Sequence, residues 1–185
     1  MDPRGVPHGL EVIDEEAIPD ELDGALRRLL CECFPQDTDV YAHTRAWHAS
    51  IPTWSVVARR GQQTTGHVSI FVRTITCAHD PLPVAGVGNF CVAPGWRGSG
   101  LSARLMERAM DEARGRGIEF GLLFCLPELA RLYGTWGWNK TTAAITMRDA
   151  AGRDAPLPAK NLAMHAELGP RPFPPGPIHL LGCDW

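Results

Sequence analysis

The amino-acid sequence predicts an α/β fold of the mixed α+β kind, an antiparallel meander followed by a βαβ unit. Three observations predict it. Residues 54–92 carry strand patterns separated by turn residues. The alternation is clean over His67–Ile75, with Val68, Ile70 and Val72 facing one way and Ser69, Phe71 and Arg73 the other. Leu101, Leu105, Ala109 and Ala113 then recur at helical spacing, in a stripe widened by Met106 and Met110. The nearly unbroken apolar run Ile118–Leu126 follows, as expected of a strand buried on both faces. A strand, a helix and such a strand form a crossover connection.

The elements follow in order. Residues 1–17 read as a leader with one short strand at Leu10–Ile13. Residues 18–168 read as the folded domain. Its first helix starts after Pro19, buries Leu22, Leu26, Leu29, Leu30 and Cys33, and ends at Pro35. A loop and a second helix carrying Tyr41, His43, Trp47 and His48 are expected over residues 36–50. Trp54–Ala58 reads as a strand, and Arg59–Thr65 as a hairpin connection flanked by Gly66. Asp80-Pro-Leu-Pro83 reads as a turn into a strand over Val84–Val92. Gly115 and Gly117 end the long helix. Pro127–Trp136 reads as a short helix with proline in its first turn, and Trp138–Met147 and Leu162–Leu168 as late strands. Residues 169–185 are Pro-rich, yet their aliphatic residues and Trp185 predict a tail that docks rather than a solvated linker.

Composition narrows the function. The chain has 185 residues, 44% of them apolar, enough for one sizeable core. With 18 basic and 21 acidic side chains the net charge is −3, so the basic excess that grips nucleic acid or anionic lipid is missing. No nucleic-acid or membrane partner is expected. No apolar run reaches the roughly 18–20 residues of a membrane span, and the first residues lack the pattern of a secretory signal. Cys31, Cys33, Cys77, Cys91, Cys125 and Cys183 form no CxxC pair and read as small hydrophobes in a reducing, cytoplasmic setting. No metal site is expected.

The chemistry lies in Phe90-Cys-Val-Ala-Pro-Gly-Trp-Arg97-Gly98-Ser99-Gly100-Leu101-Ser102, where a strand passes through a glycine turn into an amphipathic helix. Amides at a helix N-terminus lack internal partners and sit at the positive end of the dipole. Gly98 and Gly100 let a ligand approach the backbone, and Arg97 adds charge. Such a turn suits a diphosphate. It is not a Walker loop, because Leu101 rather than Lys follows Gly100. Nor is it a dinucleotide fingerprint, because the turn follows a meander and Ala103 stands at the third small position.

The pattern V-x-P-x-W-R-G-x-G-L over residues 92–101, with Leu132-Tyr133-Gly-Thr-Trp-Gly137-Trp138 some thirty residues on, resembles the GNAT acyltransferase superfamily over roughly residues 18–150. Its core motif R/Q-x-x-G-x-G/A is answered by Arg97 to Ser102, with Ser in the last place. The resemblance implies a GNAT-like fold whose two central strands splay. It implies an enzyme that transfers acetyl from acetyl-coenzyme A directly to a primary amine of a small molecule. Arg97, Gly98, Ser99, Gly100, Leu101 and Ser102 would hold the donor's diphosphate. Phe90, Cys91 and Val92 would pair with its pantetheine arm across from Leu122–Cys125, and an amide near Cys91 or Val92 would face the oxyanion. Tyr133 would protonate the departing thiolate.

The Glu that relatives place on the strand before the turn is missing: Gly88 and Asn89 stand there, and no carboxylate lies between Asp80 and Glu107. His67, His43, His48, Asp37, Asp39, water and a terminal carboxylate of Trp185 remain as bases. Gly66-His67-Val, the Tyr133 motif and an ending with Asp184-Trp185 are also similar to aminoglycoside 2′-N-acetyltransferases, which act in antibiotic resistance. That likeness implies an amino-sugar acceptor held by Asp37, Asp39, Asp184 and Trp185. Longer acyl donors, and a non-catalytic module that binds acyl-coenzyme A, remain alternatives. Dimers are frequent in the superfamily, so a homodimer stays open.

Overall fold

The computed structural model describes residues 8–185; residues 1–7 of the expected leader lie outside the described residues. The elements are β1 (Gly9–Asp14), α1 (Asp20–Cys33), α2 (Thr38–Tyr41), β2 (Trp54–Arg60), β3 (Gln63–Cys77), β4 (Asp80–Val92), α3 (Leu101–Gly115), β5 (Phe120–Cys125), α4 (Ala130–Gly134), β6 (Asn139–Lys140), β7 (Ile145–Arg148), β8 (Asp154–Pro156), β9 (Leu162–Glu167) and β10 (Ile178–His179). Contacts divide the chain into two compact units. One holds residues 8–45, 52–70 and 89–109; the other holds residues 46–51, 71–88 and 110–185. The mixed α/β class expected from the sequence is the one observed. No helix among the described residues is long and apolar enough to cross a membrane.

In the first unit β1 and β2 pair antiparallel with Val12 opposite Val56, and β2 pairs antiparallel with β3 with Val56 opposite Val68. α1 lays Leu22 and Leu26 on Val57, joined by Ile13 and Ile18. Asp20, Glu21 and Asp23 occupy its first turn, where the dipole favours acids. Buried Arg45 joins Asp23 (2.7 Å) to Glu15 (2.5 Å), so its charge is paired as burial requires. Leu105 of α3 lies so close to β3 that a Cβ at Gly66 would sit 2.7 Å from its Cδ1.

In the second unit the strand order is β6-β9-β5-β4-β3-β10-β7-β8. β5 runs parallel to β4 and antiparallel to β9. Phe71, Ile75, Val84, Phe120, Leu122, Ile178, Leu180 and Trp185 belong to one core. Ile178 of β10 pairs with both Cys77 and Ile145.

Several expectations need correction. The helix expected to carry His43, Trp47 and His48 stops at Tyr41; His43 falls in the turn that follows, and His48 and Ala49 form a separate tight turn at positive φ (45° and 62°). The hairpin linking β2 and β3 is tighter than expected, with only Gly61 (φ 58°) and Gln62 between the strands. Asp80–Pro83 is not a turn but the start of β4; Ala78 and His79 reverse the chain at φ 49° and 79°. Prolines signal turns, yet Pro can also open a strand where no donor is needed. The late strand expected over Trp138–Met147 is two strands, β6 and β7.

Candidate functional site

The glycine turn lies in the first unit. Trp96 anchors it, with the Arg60 guanidinium 4.8 Å above its ring and His8 edge-on at 4.7 Å. Arg97 Nε donates to Val92 O (3.1 Å) and Ser99 Oγ donates to Trp96 O (2.6 Å), so the loop is braced by its own side chains. Gly98 and Gly100 adopt φ 74° and 79°, values that a side chain with a Cβ rarely takes. Nothing lies within 4 Å of where a Cβ would stand on either. The first backbone acceptance from this turn into α3 is Arg104 N–H to Gly100 O (3.3 Å). Among the described residues the amides of Leu101, Ser102 and Ala103, which open α3, donate to no backbone carbonyl of the preceding turn. Open space, uncommitted donors and the dipole of a 15-residue helix together fit a diphosphate.

The strand leading to the turn carries an unusual residue. Asn89 sits at φ 50° inside β4, held by its side chain: Oδ1 accepts from Tyr41 Oη (3.0 Å), and Nδ2 donates to Arg45 O (2.8 Å) and Ser69 Oγ (3.3 Å). That clamp fixes a kink just before Phe90, Cys91 and Val92. Cys91 and Val92 are buried, and Val92 O accepts from both Arg97 and Cys33 Sγ (3.5 Å). A hydrogen bond from Cys91, aided by Arg97, lowers the Cys33 thiol to about 7. Asp37 ends a 3-10 turn and Asp39 lies on α2, exposed.

His67 is fully buried in the same unit, with Nε2 3.0 Å from Ser55 Oγ and 3.4 Å from Ser69 Oγ. Burial, with Arg45 nearby, lowers it to about 3, so the folded protein holds it neutral and it is unfit to collect a substrate proton. The unfolded chain binds that proton below about pH 6.5, so stability is complete above that value and falls as the pH drops towards 3. From pH 6.5 to 5 the loss is about 2 kcal/mol. Urea midpoints at the two pH values should show it, and His67→Gln should flatten the difference.

The second unit contains Tyr133, Asp184 and Trp185. β4 and β5 bond only through Ala85–Val87 opposite Gly121–Leu123, whereas β5 continues along β9 to Cys125. Among the described residues the ladder between the two parallel strands ends at Val87 and Leu123. Tyr133 of α4 is buried and packs edge-on against Trp136 and Trp138. Burial, with Cys125 nearby, pushes its phenol well up and keeps it protonated. Trp138 lies over Gly121, where a Cβ would meet its Cη2 at 2.8 Å. The Trp185 indole lies over Gly86, whose Cβ would sit 2.3 Å from its Cε2, and 5.1 Å from the Phe124 ring. Asp184 is buried, and its carboxylate pairs with His48. Sequence reasoning named both residues but had no signal for their pairing, because 136 positions separate them.

A meander, a parallel crossover and an anion-ready turn opening the crossover helix define an acyltransferase architecture. Residues 16–141 match the family model described as acetyltransferase (GNAT) domain, and the chain belongs to that family. It is similar to the GNAT N-acetyltransferase YhbS of Escherichia coli, solved in complex with CoA. That likeness has 18% identity and TM-score 0.70, and covers 97% of this chain and 92% of that one. A GNAT acetyltransferase of Brucella melitensis, solved with acetyl-CoA, gives 18% identity and TM-score 0.61, covering 93% and 96%. Over 89 residues the chain is 36% identical to the mycothiol acetyltransferase of Thermobispora bispora. That match takes in 48% of this chain and 28% of the relative's length.

Proposed function

We propose that the protein transfers an acetyl group from acetyl-coenzyme A to a primary amine of a small molecule. The observation that carries this reading is the open amides of Leu101, Ser102 and Ala103, among the described residues, at the start of α3 behind the Gly98–Gly100 turn. These donors, with the charge of Arg97, hold the donor's diphosphate. Phe90, Cys91 and Val92 present the strand edge for the pantetheine arm, and the family membership and the CoA-bound neighbours support that placement. Attack by the amine forms the C–N bond and expels the thiolate. Tyr133, kept protonated by burial, supplies the thiolate's proton. Much of the rate comes from holding amine and thioester together.

The acceptor class rests on less. An amino sugar suits the exposed Asp39 and the half-exposed Asp37, since carboxylates attract a polycation. The short likeness to a mycothiol acetyltransferase also supports a small-molecule acceptor.

Thiol release from acetyl-coenzyme A, measured with a panel of aminoglycosides, polyamines and amino acids, tests the reaction. Turnover is expected with at least one amine. Tight donor binding without turnover would make the protein a binding module, and faster release from hexanoyl or longer thioesters would overturn acetyl as the donor group. Tyr133→Phe should lower kcat by about 10²-fold while calorimetry shows unchanged coenzyme A affinity. An unchanged kcat would assign Tyr133 to packing alone.

A further inference from the structure

Acetyl transfer requires a group to take the proton from the acceptor ammonium, and β4 carries no carboxylate between Asp80 and Val92. Resting on the acetyl-transfer reading above, we propose that His48, held by Asp184, is that general base.

The turn from Trp47 to Ser50 is closed by Ser50 N–H donating to Trp47 O (2.7 Å). Its two central residues, His48 and Ala49, both sit at positive φ, where non-glycine residues are strained. Such strain persists only where the surroundings impose it. Here His48 Nδ1–H donates to the Asp184 carboxylate, and Ser50 Oγ donates to Asp184 O (3.1 Å). Arg73 donates through Nη2 to Ser50 Oγ (2.9 Å) and through Nη1 to Cys183 O. The Trp47 ring flanks the imidazole at 4.7 Å. Asp184 thus pairs with His48, and Arg73 packs behind it through Ser50 and Cys183.

Exposure separates the roles of the pair. The His48 side chain is 50% exposed and that of Asp184 8%. The carboxylate is almost wholly buried and its partner is the imidazole. It fixes the Nδ1–H tautomer, leaving the lone pair on Nε2 to meet a proton. Asp184 is then a positioning residue, acting through the imidazole.

Location supports the assignment. Asp184 leads directly into Trp185, whose indole covers Gly86 and packs on Phe124. Gly86 is paired with Leu122 and faces the same side as Phe124, since residues alternate along a strand. Gly121, Leu123 and Cys125 face the opposite side, the side of Trp138 and Tyr133. Within this unit the dyad and the phenol serve opposite faces of the two parallel strands. The amine adds to a face of the planar carbonyl and the sulfur leaves as the tetrahedral adduct collapses, so base and acid act on different atoms, the nitrogen and the sulfur, and need not share a face.

The protons balance. His48 Nε2 takes one proton from the ammonium and later gives it to water. The free amine attacks, the C–N bond forms and the C–S bond breaks. Tyr133 protonates the thiolate and recovers a proton from the nitrogen through water.

The test uses the full chain and the best amine of the panel. His48→Gln and Asp184→Asn should each lower kcat/KM at neutral pH by about 10²-fold, the size of a lost general base. The deficit should shrink as pH rises, since solvent then delivers the amine already deprotonated. Coenzyme A binding should be unchanged in both, and added imidazole should restore rate to His48→Ala. A constant deficit at every pH, no deficit, or a normal Asp184→Asn beside a crippled His48→Gln would overturn the dyad. Wild-type turnover in those same assays would leave acetyl transfer standing. Absence of turnover by the wild type with every amine would overturn both.

Discussion

Gly100→Asp should weaken acetyl-coenzyme A binding by about 10²-fold, or ~2.7 kcal/mol, whereas Gly100→Asn should weaken it far less. The comparison isolates charge. Gly100 adopts φ 79°, and Asn and Asp tolerate that region better than other side chains. Nothing lies within 4 Å of the new Cβ, so neither variant meets a steric clash. Both variants therefore carry the same backbone cost, visible as an equal, modest shift in Tm. Only Asp places a negative charge beside the amides of Leu101, Ser102 and Ala103, where a diphosphate would have to sit. Like charges a few ångströms apart near a protein surface repel by several kcal/mol before screening. Calorimetric titration with coenzyme A at low and high salt reads the difference, which should narrow as salt rises. Equal affinities for the two variants would remove the diphosphate from this turn and, with it, the observation on which the functional reading stands.

That turn was legible in the sequence because its requirements are local. Two glycines at positive φ and a helix with a clear apolar stripe leave a pattern within a dozen residues. α1 was legible for the same reason: Leu22, Leu26, Leu29 and Leu30 repeat at helical spacing and all four are buried. Features that depend on distant partners were not. His48 and Ala49 adopt a left-handed turn that neither residue prefers, imposed by Asp184 and Arg73 from far along the chain. Asn89 leaves the strand geometry because Tyr41, Arg45 and Ser69 bind its amide. β8 and β10, at three and two residues, are too short to show any alternation. The separation of His67 from the other base candidates likewise needed burial, which its place in an alternating strand could not disclose.

Trp185→Ala should cost about 3–5 kcal/mol of stability, lowering Tm by about 10 °C or more in a chain of this size. The indole is buried against Phe71, Phe124 and the bare backbone of β4, and it closes the apolar core of its unit. Glycine at position 86 exists for this contact, since any Cβ there would overlap the ring. Gly86→Ala should therefore expel the indole and cost a comparable amount by itself. Once the ring is gone the added methyl has room, so Gly86→Ala/Trp185→Ala should lose clearly less than the sum of the single variants. Trp185→Phe should cost far less than the alanine variant. It keeps an aromatic ring in the slot, and the indole Nε1 has no acceptor to lose. Urea denaturation of the wild type, the two single alanine variants and the double variant supplies every term of the cycle. Additive losses would show that the ring and Gly86 do not share the slot in solution, and the placement of Asp184 and His48 beside the two parallel strands would fall with that contact.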